Sequence, residues 1–233
     1  MLIWSPRIFR AFVAISGILG VAALGVYYSV PLPVPAPNAA LRDIVNFGAR
    51  FHDRIALDAW LQAIGSLLAA IFLLALVYLA KGLERLSGWI ASFGIAMVLA
   101  MALLDVAITL GALQGAVNGH PATAVVCFDL TFVFVHVFPI VPAMATFLGL
   151  GALLLRSPVL PRLFSWVALV LGLGFGILGF AGLFNPRANG ATIFLLSLQE
   201  IWIVAAAIVV LLQTEKRLTP VQDEYLEEPG NLA

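Results

Sequence analysis

The chain has 233 residues, of which 63% are hydrophobic and 10% are charged, and its formal net charge is zero. A soluble domain carries about 25% charged residues, so a chain this apolar needs lipid as the solvent for part of its surface. The zero net charge argues against nucleic-acid binding, and the single cysteine, Cys127, excludes an internal disulfide and a cysteine-based zinc site.

The first apolar stretch, residues 8–30, is long enough to cross a bilayer and begins beside Arg7 and Arg10. No small-residue cleavage site follows it, so the pattern predicts a retained signal-anchor helix. The proline-rich segment 31–37 cannot continue this helix. After it, apolar residues between Leu41 and Ile55 recur at helical spacing with charged residues on the other face. This pattern predicts a short amphipathic helix lying in the membrane interface.

Five further spans are predicted, and they cover residues 56–80, 88–113, 123–155, 164–184 and 191–212. The fourth would be about 50 Å long as a helix, more than a hydrocarbon layer of about 30 Å needs. Pro139 and Pro142 are expected to kink it. The sequence therefore predicts an all-α polytopic membrane protein, a bundle of six transmembrane helices forming one domain over residues 1–213. The polar tail, residues 214–233, is expected to be disordered.

Basic residues are distributed unequally between the two sides of this predicted bundle. One side carries eight of them and the other four, which favours both termini in the cytoplasm. The larger group is Arg7, Arg10, Lys81, Arg85, Arg156, Arg162, Lys216 and Arg217, and the smaller is Arg42, Arg50, Arg54 and Arg187.

Several ionisable side chains fall within the predicted spans, where an unpaired charge costs several kcal/mol. With this topology they all lie in the outer half of the bundle or near its middle, and the acids have no basic residue beside them in those spans. Asp129 and His136 are seven residues apart and share one helical face. The predicted ligand- or proton-binding residues are Asp105, Asp129, His136 and Glu200, and the predicted cavity mouth is Asp58 and Gln62.

Two kinds of role fit these residues. In the structural one, each acid hydrogen-bonds to a neighbouring helix and fixes packing. In the functional one, the protein binds or transports a cation, proton or small polar ligand. The alternatives left open are a membrane enzyme acting on a lipid or isoprenoid at the outer leaflet and an accessory subunit of a membrane complex, so enzymatic activity is undecided.

The three histidines show no zinc-ligand spacing, so no metal site is predicted, and the sequence identifies no cofactor. The expected partners are the lipid bilayer and, given the small size of the bundle, a second copy or a larger membrane complex. In general character the chain resembles small multipass proteins of bacterial inner membranes, a resemblance that assigns no residue.

Overall fold

A computed structural model describes residues 5–29, 32–35, 39–138, 142–182, 184–185 and 188–213, without the side chains of 6, 27–29, 132–138, 188–190 and 192–193. The described part of the chain is helical and contains no strand. The helices are α1 Pro6–Ser29, α2 Leu41–Arg50, α3 His52–Leu79, α4 Leu86–Val117, α5 Pro121–Phe138, α6 Met144–Leu154, α7 Arg162–Gly182 and α8 Ala188–Leu212. The predicted tail, 214–233, lies outside the described residues.

Five of the described helices are long and apolar enough to cross a membrane, namely α1, α3, α4, α7 and α8. Their outer surfaces carry large apolar side chains, such as Leu86, which is 76% exposed, and Phe180, which is 63% exposed. A soluble monomer rarely exposes such a continuous apolar surface, because contact with water would be unfavourable. The exterior of the bundle therefore requires lipid.

The region predicted as one long fourth span contains two helices, α5 and α6, which both pack against α4. Pro142 precedes α6, and its carbonyl accepts a 2.8 Å hydrogen bond from the Thr146 hydroxyl one turn later. Pro139 lies outside the described residues. The predicted kink therefore falls on residues 139–141, which lie outside the described residues.

Glycines allow the helices to approach closely. A Cβ at Gly94 of α4 would lie 2.5 Å from the backbone nitrogen of Thr146 in α6, and one at Gly172 of α7 would lie 2.7 Å from that of Leu148. Small residues commonly permit such contacts in membranes, where association depends on packing. Gly172 thus serves close packing of α7 within the bundle.

Aromatic side chains fill the core between α6, α7 and α8. Phe147 and Phe175 are buried, and the Trp202 ring meets Phe147 edge-on at 5.6 Å between centroids. The indole nitrogen of Trp202 donates a 3.0 Å hydrogen bond to the carbonyl of Phe164. This bond satisfies the polar end of an otherwise apolar ring and links α8 to α7.

One end of the bundle is held together by bonds from side chains to backbone carbonyls. The Arg10 guanidinium donates to the carbonyl of Gln213 at 3.1 Å, and Arg85 donates to the carbonyl of Arg156 at 3.2 Å. The Gln213 amide donates to the carbonyl of Val159. These contacts place the start of α1, the α3–α4 connection, the α6–α7 connection and the end of α8 together, and we call this the Arg10 end.

Helix α2 lies at the opposite end of the bundle, next to the start of α3. It buries Ile44 and Gly48 against α4 and α5, and a Cβ at Gly48 would lie 2.7 Å from that of Ala116. Arg42, Asp43, Asn46 and Arg50 are exposed on its other side. The amphipathic segment was predicted to extend to Ile55. In the structure α2 ends at Arg50, and the residues from His52 onward belong to α3.

Candidate functional site

A cavity of about 300 Å³ lies beneath α2, at the end of the bundle remote from Arg10. Its walls come from α2, α3, α4, α5 and the segment containing Leu32 and Val34, and most of the lining side chains are apolar. The polar lining residues are Asp58, Gln62, Asp105, Thr109 and Thr131. A cavity with mainly apolar walls and a few convergent polar groups is the usual composition of a small-molecule site.

Helix α3 contributes Asp58 and Gln62 from one face, because side chains four residues apart project in the same direction. Arg54, one turn earlier, pairs with Asp58: its Nε lies 2.9 Å from Oδ1 and 3.0 Å from Oδ2, and the second contact is a hydrogen bond. The Asp58 side chain is only 8% exposed and that of Arg54 29%. The ion pair therefore neutralises a carboxylate that burial would otherwise destabilise.

Helix α4 contributes Asp105 and, one turn later, Thr109. The Gln62 amide donates a 2.8 Å hydrogen bond to Asp105 Oδ2, which joins α3 to α4 across the cavity. No described residue donates to the other oxygen, Oδ1, and no described cation pairs with this carboxylate. Asp58 Oδ1 also lacks a hydrogen-bond donor, but that carboxylate is paired with Arg54, so Asp105 is the cavity acid without a described counter-charge.

Only some of the candidate site residues predicted from the sequence line the cavity. Asp58, Gln62 and Asp105 line the cavity, whereas Asp129 and Glu200 do not. Asp129 is exposed on α5, although its neighbour Phe128 reaches the cavity. Glu200 is half-buried on α8, which packs against α1 and α7. His136 is within α5, but its side chain lies outside the described residues.

Some residues of this region were missed in the sequence. Arg54 was assigned to the polar face of the interfacial helix, yet its spacing of four residues from Asp58 is typical of a helical ion pair. Thr109 follows Asp105 at the same spacing, which could likewise have placed it on the cavity face. No sequence signal indicated that Leu32 and Val34, within the proline-rich segment, contact the same cavity.

The histidine, cysteine and carboxylate side chains are the groups that could ligate a metal ion. Within the described ranges, no group of three or more histidine, cysteine, aspartate or glutamate side chains is placed to hold a metal ion. Four of the five polar lining residues already have protein partners: Asp58 pairs with Arg54, Gln62 donates to Asp105, and the Thr131 hydroxyl donates to the Phe128 carbonyl.

The apolar exterior and the five long helices define the class of the molecule: it is a multipass helical membrane protein. No protein-family model matches the sequence, and neither a curated protein nor a solved structure matches it.

Proposed function

We propose that this membrane protein binds a small cationic or polar ligand in the cavity beneath α2, with Asp105 as the side chain that contacts the ligand's charged group. The observation that carries the proposal is the Asp105 carboxylate, which has an amide partner in Gln62 but no described cation. A carboxylate in a mostly apolar cavity gains from a positive neighbour, since solvent screens the interaction weakly there.

The size and walls of the cavity favour a small organic cation over a bare metal ion. About 300 Å³ is at the lower end of the range for small-molecule pockets. Leu113 and Phe128 would contact an apolar body while Asp105 accepts a hydrogen bond from an ammonium group. Asp58 already has a counter-charge in Arg54, so it would contribute shape and polarity at the mouth.

The proposal includes a topology with six spans, in which α5 and α6 together form the fourth. Both termini are then cytoplasmic, residues 1–213 form one domain, α2 lies in the outer interface and the cavity opens toward the outer side. This topology is supported by the contact between Arg10 and Gln213, which puts the start of α1 and the end of α8 at one end. The excess of basic residues at that end agrees with a cytoplasmic location.

The test compares benzylamine, which is cationic at neutral pH, with the neutral benzyl alcohol of nearly equal size. Affinity for the purified protein in detergent would be measured by titration calorimetry. Benzylamine is expected to bind more tightly, and Asp105→Asn is expected to weaken it about 10- to 100-fold, because a hydrogen bond to a charged group contributes about 1.5–3 kcal/mol.

Asp129→Asn is the matched control, because it removes an acid that is exposed and does not line the cavity. It should leave benzylamine affinity unchanged. Equal affinity of Asp105→Asn and the unaltered protein for benzylamine would contradict the proposal. Equal binding of the amine and the alcohol would contradict it as well, since the cavity would then select for size alone.

A further inference from the structure

A second concave site lies at the Arg10 end, far along the bundle from the cavity beneath α2. This groove, about 870 Å³ in volume, runs between the α6–α7 connection and the end of α8. Its polar lining residues are Arg156, Ser157, Arg162 and Gln213, and Leu212 is one of its apolar lining residues. The groove therefore places two guanidinium groups beside an apolar wall.

The backbone around the groove is fixed by hydrogen bonds. Gln213 donates to the carbonyl of Val159 and accepts from Arg10, and the Ser157 hydroxyl accepts from the Val159 amide at 3.3 Å. The Arg85 guanidinium donates a hydrogen bond to the carbonyl of Arg156. These bonds tie the α6–α7 connection to the end of α8 and to the α3–α4 connection, and Arg10 ties the end of α8 to α1, so the fold itself positions the walls of the groove.

The groove is electropositive. Arg156 and Arg162 are exposed, and no described carboxylate forms an ion pair with either of them. The described residues at this end comprise six basic side chains and one acid, Glu84, which gives a net charge of six minus one, or +5. The six are Arg7, Arg10, Lys81, Arg85, Arg156 and Arg162. A ligand for this groove should be anionic.

We propose that the groove binds the phosphate headgroup of an anionic phospholipid, through Arg156 and Arg162. Guanidinium groups match phosphate geometry and can form two parallel hydrogen bonds to it. Leu163, Trp166 and Leu212 are exposed near the same arginines and would contact the glycerol and acyl region. Apolar contacts beside a basic site suit a lipid better than a free phosphate, and basic sites between helices commonly bind such headgroups.

The C-terminal tail is a competing occupant, because it follows Gln213 directly. Residues 214–233 include five acidic and two basic side chains, which gives two minus five, or a net charge of −3. An acidic segment could reach the arginines and exclude the lipid. The experiment therefore has to separate a lipid in the groove from the tail in the groove.

The experiment uses the full chain in a neutral detergent, titrated with dioctanoylphosphatidylglycerol or with the zwitterionic dioctanoylphosphatidylcholine. The anionic lipid is expected to bind more tightly. Arg156→Gln combined with Arg162→Gln should weaken its binding about 25-fold, because each arginine near an anionic surface contributes about fivefold. Arg42→Gln combined with Arg50→Gln removes two exposed arginines of α2 and should leave the preference unchanged.

Four results would overturn the proposal. Equal affinity of the unaltered chain for the two lipids would do so without any variant. Anionic preference that appears only after removal of residues 214–233 would identify the tail as the occupant. Binding of glycerol 3-phosphate as tight as that of the anionic lipid would assign the groove to a soluble phosphate. Retention of the preference by a folded Arg156→Gln, Arg162→Gln protein would move the lipid site elsewhere.

Discussion

Replacing Arg54 with methionine should strongly destabilise the protein. Arg54 is the described counter-charge of Asp58, whose side chain is 8% exposed. Removing one partner of a buried ion pair costs about 3–5 kcal/mol, and the 29% exposure of Arg54 points to the lower end. We therefore expect Arg54→Met to lower the free energy of unfolding by about 3 kcal/mol. The loss reflects an unpaired buried carboxylate, since methionine retains most of the side-chain volume.

The assay is unfolding by sodium dodecyl sulfate in mixed micelles, followed by circular dichroism. Combining Arg54→Met with Asp58→Asn should regain about 2 kcal/mol of the loss, because the buried charge is gone and a neutral amide remains. Arg42→Met removes an exposed arginine and should change stability by less than about 0.5 kcal/mol. The reasoning is refuted if Arg54→Met costs no more than Arg42→Met, or if the double substitution is less stable than the single one.

Two further substitutions test packing and hydrogen bonding, by the same unfolding measurement. Gly94→Ala should cost about 1–3 kcal/mol, because its Cβ would lie 2.5 Å from the Thr146 nitrogen. Gly25→Ala is its control: nothing lies within 4 Å, so a gain of about 0.5–1 kcal/mol is expected, and equal effects at both positions would disprove the packing argument. Trp202→Phe should cost about 0.5–1.5 kcal/mol, because the hydrogen bond from the indole to the Phe164 carbonyl is lost, and a neutral result would show that this bond is dispensable.

The sequence alone predicted the all-helical class correctly. Hydropathy and the length of an apolar stretch can be measured along the chain without knowing which helices become neighbours. Helix α3 was predicted over 56–80 and is observed over His52–Leu79, and α7 was predicted over 164–184 and is observed over Arg162–Gly182. The start of α3 was predicted late because His52, Asp53 and Arg54 are polar, and hydropathy does not distinguish a polar first turn from a loop. The number of spans stays a prediction.

The sequence predicted only part of the candidate site. Asp58, Gln62 and Asp105 were selected because polar groups are rare in apolar helices, and the structure places them around one cavity. Asp129 and Glu200 were selected by the same argument, which gives depth along a helix but not the direction of the side chain around it. That direction depends on which helices are neighbours, and neighbouring helices are determined by contacts such as that of Gly48 with Ala116.

The hydrogen bonds at the Arg10 end constrain how the bundle can open. Separating the helices at this end would break the bonds from Arg10 to Gln213 and from Arg85 to Arg156, whereas no such bond is described between the helices at the far end other than that of Gln62 with Asp105. Helix α2 covers the cavity there and is joined to α3 through a single residue, Phe51. A widening of the bundle that preserved both bonds would therefore move the α2 end more than the Arg10 end, and it would change the cavity before it changed the groove.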